Sequence, residues 1–219
     1  KQLDKEFNIK SICIYNPFNN QNIEKKSKKK TSFNFFKKNN YFLNIINIGR
    51  MTDQKDQMLI LKSLNNLKDR IKFRCLILGK GINHSKLKKF IINNKLKNKI
   101  KLLGFKSNPY PYIKQSDLFL LTSKYEGLPN VLLEAQYLKK FIISTDCPTG
   151  PKEILLNGKL GDLIKVGNQK QLEEKILYYH KNKNNLIIKN KIKLGKENIQ
   201  RFNFELNCQK YYKIVKKYL

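Results

Sequence analysis

The chain has 219 residues, enough for one large domain or two small ones with a well-buried core. Hydrophobic residues make up 40% of it, and short runs of Ile, Leu and Phe recur throughout, which excludes a wholly disordered chain. Lys and Arg outnumber Asp and Glu by 46 to 16, a formal net charge of +30. Such a charge attracts any polyanion, but a general enrichment in Lys, Asn and Ile explains it more simply, so charge alone specifies no function.

The cysteines and histidines form no metal-binding pattern. There are four widely spaced cysteines without a Cys-x-x-Cys pair, and two histidines: Cys13, Cys75, Cys147, Cys208, His84 and His180. Cys13 and Cys75 lie in apolar, strand-like runs, which predicts reduced, buried thiols. No apolar run approaches the ~18 residues of a membrane-spanning helix. No signal peptide is visible, but the chain begins with Lys rather than Met, so the sequence leaves targeting open.

The first 40 residues differ in pattern from the rest. Residues 10–16 are predicted to form a short buried strand that ends at Asn16-Pro17. Residues 19–40 contain the basic run from Lys25 to Lys30 and little periodicity, which is typical of a linker or exposed loop. Because nothing before residue 10 could pair with the first strand, we expect it to belong to a domain truncated upstream.

From residue 41 onward, apolar runs of strand length alternate with helical periodicity. The predicted strands are 43–48, 73–78, 100–103, 117–121, 141–145 and 162–166. The predicted helices are 53–67, 85–94, 109–116, 129–138 and 151–157, followed by an amphipathic helical tail over about 168–219. This alternation predicts an α/β fold with a doubly wound parallel sheet. Such a sheet binds ligands beyond the C-terminal ends of its strands.

The segments after the first two predicted strands contain glycine turns. Gly49-Arg50 and Lys55 place a turn and two cations at the start of a helix, an arrangement suited to a pyrophosphate. Ordinary surface cations are the alternative in so Lys-rich a chain. Gly79-Lys80-Gly81 is consistent with a close backbone approach near a nucleotide and equally with a plain turn.

The segment from Ser123 to Ala135 is the most informative. Glu126 lies in the loop after a strand, Gly127 permits a tight turn, and Pro129 suits the first turn of a helix that contains Glu134. The two carboxylates can hold separate groups of one elongated ligand, while the helix amides between them face phosphates. The alternatives are a helix-dipole partner for Glu126 and an exposed helical side chain for Glu134. After the fifth strand, the proline-bearing loop from Thr145 to Glu153 predicts either a pocket wall or a simple connection.

In this order the segments resemble the C-terminal domain of retaining GT-B glycosyltransferases of the glycosyltransferase family 4 type, from residue 41 to about 219. Gly49-Arg50 and Lys55 match the diphosphate-binding Arg and Lys of that family, and Glu126 and Glu134 match its Glu-x7-Glu signature with Gly-Leu-Pro-Asn between them. The loop from Thr145 to Glu153 resembles the one that follows.

The resemblance implies roles for these residues. Glu126 contacts the donor sugar, Glu134 holds the ribose hydroxyls, and Arg50 and Lys55 stabilise the leaving diphosphate without a metal ion or cofactor. The expected catalytic residues are Glu126, Arg50 and Lys55. The expected donor-binding residues are Gly49, Arg50, Lys55, Gly127, Leu128, Asn130 and Glu134.

The resemblance also implies a domain organisation. Residues 1–18 would be the last strand of an acceptor domain and the crossover, 19–40 a basic linker, and 41–200 the nucleotide-sugar-binding domain. Residues 201–219 would form a helix that returns to the first domain. Because the acceptor domain is missing from the sequence, this fragment is expected to bind nucleotide and transfer nothing by itself.

The implied activity is that of a retaining hexosyltransferase of polysaccharide biosynthesis. Its donor would be a UDP- or GDP-sugar and its acceptor a glycan or a lipid-linked glycan. A cytoplasmic location is expected, and the basic surface suits peripheral contact with anionic lipid on the cytoplasmic membrane face.

Three other functions are open at this point. One is a GT-B nucleotide-sugar epimerase or phosphorylase, and another is a non-catalytic binding remnant. The third is a basic nucleic-acid-binding module; Phe33, Phe35 and Phe36 adjoin the basic run, but they are not arranged as a stacking platform, which disfavours nucleic acid as a partner.

Overall fold

A parallel six-stranded sheet forms the centre of the protein. The computed structural model describes residues 6–8, 11–31, 33–36 and 41–218, the last without its side chain. The strands are β1 (Leu43–Ile48), β2 (Phe73–Leu78), β3 (Ile100–Gly104), β4 (Leu118–Leu121), β5 (Phe141–Thr145) and β6 (Asp162–Ile164). Neighbours pair in parallel in the order β3-β2-β1-β4-β5-β6. This confirms the predicted doubly wound α/β fold.

Helices cover both faces of the sheet, which is why its central strands are apolar on both sides. The helices are α1 (Ile23–Ser27), α2 (Gln57–Leu67), α3 (His84–Asn93), α4 (Tyr110–Gln115), α5 (Asn130–Tyr137), α6 (Pro151–Ile154), α7 (Gln169–Asn182), α8 (Leu186–Asn198) and α9 (Phe204–Tyr218), with a 3-10 turn at Ile199–Phe202. One face packs against α2, α3 and α7, and the other against α1, α4, α5, α6 and the 3-10 turn. Within the described ranges, no helix is both long and apolar enough to cross a lipid bilayer.

Most predicted elements are present, with shifts at their ends. The predicted helix 53–67 begins only at Gln57, because the preceding residues form a turn that ends at Asp56 in a left-handed conformation. Asp56 then caps the helix, its Oδ1 accepting a hydrogen bond from the Leu59 amide at 3.3 Å. The predicted strand 162–166 ends at Ile164, since Lys165 and Val166 are exposed. The helical tail is confirmed.

The predicted strand at 10–16 is wrong over its described part. Residues 11–17 are in no strand, and Ile12 is 75% exposed. A strand needs a neighbouring strand to pair with its backbone amides and carbonyls, and no described strand borders this segment. Directly after this segment, Phe18 forms an isolated bridge with Asn203, and the Phe18 amide donates to the Phe202 carbonyl at 2.8 Å. Lys10 lies outside the described residues.

The same segment overturns one of the two cysteine predictions. Cys13 is exposed rather than buried, because residues 11–17 do not join the sheet as a strand. Cys75, in β2, is buried as predicted, and burial raises the pKa of its thiol. The four cysteines are all free.

Parts of the basic tract 19–40 are also more ordered than an exposed loop. Ile23 of α1 is buried, and so are Phe35 and Phe36. Phe33 stacks on Phe35 with ring centroids 5.9 Å apart, and the Arg74 guanidinium lies 4.8 Å from the Phe35 centroid. Apolar side chains in the basic tract therefore extend the core, while residues 32 and 37–40 lie outside the described structure. The division into domains at 18, 40 and 200 stays a prediction.

The order of the strands fixes where a ligand can bind. From β1 the chain moves outward to β3 on one side, then crosses back to β4 and moves outward to β6 on the other. The loops that follow β1 and β4 therefore lie side by side at the point where the winding reverses. Open α/β sheets bind ligands in the crevice at this switch point.

Candidate active site

The loop after β1 presents Arg50 and Lys55 at the switch point. Its backbone is held from two sides: Gln57 Nε2 donates to the Arg50 carbonyl at 2.9 Å, and Thr122 Oγ1 lies 3.0 Å from the Lys55 carbonyl. The Lys55 side chain runs over Gly49, so that a Cβ built on Gly49 would lie 3.5 Å from Lys55 Cδ. The Arg50 side chain is exposed. The two cations thus share one anchored loop.

A buried ion pair joins this loop to the one after β4. Lys55 Nζ lies 2.5 Å from Glu126 Oε1, and Ser123 Oγ donates to the same oxygen at 2.6 Å. The side chains of Lys55 and Glu126 are only 16% and 7% exposed. Charged hydrogen bonds are strong where water is scarce, so this contact fixes both side chains. Among the described residues, Glu126 Oε2 takes part in no hydrogen bond, which leaves an acceptor for a ligand hydroxyl.

The loop after β5 interlocks with the loop that carries Glu126. The Glu126 amide donates to the Pro148 carbonyl, and the Thr149 amide donates to the Glu126 carbonyl, each at 2.8 Å. Gly150 has φ +87°, and a Cβ on it would lie 1.9 Å from the Gly127 carbonyl oxygen. Only glycine permits this approach, which sets the position of Glu126 and of the start of α5.

Gly79 likewise permits a close approach between two loops, on the other side of the site. It has φ +145°, and a Cβ there would lie 1.9 Å from the Gly49 carbonyl oxygen. The close backbone approach considered for Gly79-Lys80-Gly81 is therefore an approach to the loop after β1: Gly79, directly after β2, packs against the backbone of Gly49 and Arg50.

Glu134 lies in the middle of α5 and is half-buried rather than exposed. Burial raises the pKa of its carboxyl to about 7, and a hydrogen bond from Tyr110 Oη to Glu134 Oε1, 3.3 Å long, acts in the opposite direction. Helix α5 begins at Asn130 after Pro129, with no side-chain cap on its first amides. Asn130 is exposed and Leu128 half-buried, so the start of the helix is open to a ligand.

An open cleft of about 640 Å³ borders the site. Its lining comes mainly from the loop after β5 and from α6: Asp146, Cys147, Pro148, Thr149, Gly150, Lys152, Glu153, Leu156, Asn157 and Arg201. The loop after β5 therefore lines a cleft, but none of the predicted donor-site residues is part of that lining. Its charged groups are paired with one another or with Tyr15: Lys152 Nζ lies 3.3 Å from Asp146 Oδ2, and Arg201 Nη2 donates to Tyr15 Oη at 2.7 Å.

Two site residues were missed from the sequence. Ser123 stands inside the segment already singled out, where a hydroxyl three residues before a carboxylate is a detectable signal. Tyr110 reaches Glu134 from a different helix, and nothing in the sequence indicates that contact.

Comparison with known proteins assigns the chain to a family. A family model described as "Glycosyl transferases group 1" matches residues 26–198. The chain belongs to this family. The group 1 match contains every predicted site residue, from Gly49 to Glu134, whereas Tyr15 and Arg201 lie outside it.

Two curated relatives of this group 1 chain are longer proteins. An uncharacterized glycosyltransferase of Methanocaldococcus jannaschii is 38% identical over 149 residues, which is 68% of this chain and 35% of the relative. The N-acetylgalactosamine-N,N'-diacetylbacillosaminyl-diphospho-undecaprenol 4-alpha-N-acetylgalactosaminyltransferase of Campylobacter jejuni is 31% identical over 128 residues, 58% of this chain and 34% of the relative. The matched part is thus about a third of each relative.

A solved structure confirms the fold. The crystal structure of a glycosyltransferase from Rickettsia africae superposes with a TM-score of 0.79 at 23% identity, covering 99% of this chain and 60% of that one. The resemblance to GT-B glycosyltransferases is therefore confirmed at the level of the group 1 family and its fold.

Proposed function

We propose that the chain is the nucleotide-sugar-binding part of a retaining, metal-independent hexosyltransferase of the family 4 type. It would move a sugar from a UDP- or GDP-sugar to a glycan or lipid-linked acceptor. The observation that carries this proposal is the buried contact between Lys55 and Glu126 at the switch point of the sheet. It unites a cation and a carboxylate from loops 71 residues apart in the sequence.

The donor would lie across the ends of β1 and β4. Lys55, Arg50 and the first amides of α5, together with Gly49, Gly127, Leu128 and Asn130, would surround the diphosphate. Glu126 Oε2 would accept a hydrogen bond from a sugar hydroxyl. Glu134, about one turn into helix α5, would accept hydrogen bonds from the ribose.

This arrangement suits the departure of a diphosphate. Transfer breaks the bond between the anomeric carbon and a phosphate oxygen, and negative charge develops on the leaving group. Fixed cations and helix amides stabilise that charge without reorganising. For retention, the acceptor oxygen bonds to the anomeric carbon from the side of the leaving phosphate, which takes the acceptor's proton. In this proposal the cations Arg50 and Lys55 carry the stabilisation.

The Phe33–Phe36 region gives no support to nucleic-acid binding. Phe35 and Phe36 are buried, and Phe33 packs on Phe35, so these rings are not free to stack on bases. The transferase remains the function that the site favours over the basic module, and family membership favours it over an epimerase or phosphorylase.

Donor binding can be tested in this chain. We expect Arg50→Ala and Glu134→Ala each to weaken UDP or GDP binding about ten- to one-hundred-fold, the loss of one or two hydrogen bonds to a charged group. Calorimetry measures the effect, with Arg70→Ala and Glu174→Ala as controls at exposed positions. Unchanged affinity in both site variants would remove the site assignment. In the complete enzyme, Arg50→Ala is further expected to lower transfer.

Membrane contact is part of the proposal. The Campylobacter jejuni relative is, by its name, a transferase for a diphospho-undecaprenol-linked acceptor, and this chain carries a net charge of +30. Each basic residue near an anionic surface contributes roughly 1 kcal/mol. We expect the chain to sediment with phosphatidylglycerol vesicles at low salt and not with phosphatidylcholine vesicles, and to be released as salt rises. Failure to sediment with the anionic vesicles would contradict a peripheral location on the cytoplasmic membrane face.

A further inference from the structure

Tyr110 contacts the candidate site from α4, a helix that contains none of the predicted site residues. It is the first residue of α4, in the crossover that carries the chain from the edge strand β3 back to β4. Its hydroxyl donates to Glu134 Oε1 at 3.3 Å across the gap between α4 and α5. The crossover between β3 and β4 therefore supplies a hydrogen-bond donor to Glu134.

The contact involves two half-buried groups. Burial raises the pKa of Tyr110 to about 12, with the neighbouring Glu134 adding to the effect, so the hydroxyl keeps its proton and acts as a donor throughout the neutral range. Burial also raises the pKa of Glu134 to about 7. The hydrogen bond from Tyr110 opposes the effect of burial on the pKa of Glu134, because it favours the ionised carboxylate.

We propose that Tyr110 is a positioning residue for Glu134: its hydroxyl holds Oε1 and leaves Oε2 to accept hydrogen bonds from the ribose of a bound nucleotide. This inference rests on the proposed role of Glu134 in donor binding and adds a residue to that site. Tyr110 itself touches the carboxylate and is not assigned a contact with the nucleotide.

The sign of the pH effect follows from the protonation state of Glu134. An ionised carboxylate is the better acceptor for ribose hydroxyls, and with a pKa near 7 its ionised fraction rises between pH 6 and pH 8. Nucleotide affinity is therefore expected to rise over the same interval. The Tyr110 hydroxyl lowers the pKa of Glu134, whereas burial raises it. Removal of that hydroxyl therefore raises this pKa, and the midpoint of the affinity profile moves to higher pH.

The test is a calorimetric titration of the full chain with UDP and with GDP from pH 6 to pH 9. Tyr110→Phe is expected to bind about three-fold more weakly than wild type at pH 7, where Glu134 is half ionised in wild type, and with nearly wild-type affinity at pH 9; this is the result if the lost hydrogen bond favours ionisation about five-fold. Tyr112→Phe removes a hydroxyl from the same helix and is expected to keep the wild-type midpoint. A Tyr110→Phe profile identical to wild type would overturn the inference, as would an equal loss at every pH.

Two further measurements separate this inference from the proposed function. If Glu134→Gln binds like wild type at every pH, the ribose-binding role of Glu134 fails; if Glu134→Gln binds weakly and Tyr110→Phe has an unshifted midpoint, only the role of Tyr110 fails. A carboxyl-carbon NMR titration of Glu134 in the nucleotide-free protein reports the pKa directly. It is expected to rise in Tyr110→Phe, and an unchanged value would overturn the inference even if neither nucleotide bound.

Discussion

Replacement of Lys55 by methionine is expected to lower the free energy of unfolding by about 2–3 kcal/mol and to abolish measurable nucleotide binding. The change leaves the nearly buried Glu126 carboxylate with Ser123 as its remaining described partner. A buried charge that loses its counter-ion is costly, and the 16% exposure of Lys55 puts the cost at or below the lower end of the usual range. Urea unfolding measures the loss of stability, and calorimetry with UDP and GDP measures the loss of binding.

The double variant Lys55→Met/Glu126→Gln distinguishes an unpaired charge from lost packing. Because it removes both charges, we expect it to be more stable than Lys55→Met alone, while binding stays lost. Lys89→Met, at an exposed position on α3, is the control and should change neither property. Strictly additive losses of stability in the two single variants and their double would contradict the account of the pair.

Replacement of Gly150 by alanine is expected to destabilise the protein by several kcal/mol and to weaken nucleotide binding more than ten-fold. The added Cβ would lie 1.9 Å from the Gly127 carbonyl oxygen and 2.8 Å from Pro129 Cδ. Either the loop after β5 or the start of α5 must move, and the second movement displaces Glu126 and the amides that follow it. A φ of +87° adds roughly 1 kcal/mol of strain for a residue with a side chain.

Gly167→Ala supplies the matched control. Gly167 also has a positive φ, +72°, but a Cβ there meets nothing within 4 Å. It should therefore lose only the part of the stability that comes from backbone strain, and keep nucleotide affinity. If Gly150→Ala is no more damaging than Gly167→Ala in thermal unfolding and in calorimetry, the interlocked loops do not set the geometry of the site.

The sheet could be predicted from the sequence because its strands are buried on both faces. The bounds of β1, β2 and β5 match the prediction, since each is a dense apolar run between polar turns. The start of α2 could not be placed in the same way. The helical pattern extends back to residue 53, but the left-handed Asp56 delays the helix by one turn.

The error at residues 10–16 has a different origin. A short apolar run predicts a strand only if another strand lies beside it, and pairing between distant segments leaves no trace in a single sequence. Ile12 and Cys13 are therefore exposed, although their neighbours in the sequence are largely apolar. The same limit applies to Tyr110. The loops that carry Lys55 and Glu126 could be brought together by the rule that ligands bind at strand ends, whereas the contact between two helices at Tyr110 and Glu134 depends on packing.

The most direct test of the proposed donor site is an amide NMR titration of the chain with UDP and, separately, with GDP. The account predicts that one of them causes saturable shifts concentrated in residues 49–55 and 126–134, the two loops that Lys55 and Glu126 join. Shifts confined to the cleft around Lys152 and Arg201, or no saturable shift with either nucleotide at millimolar concentration, would contradict it.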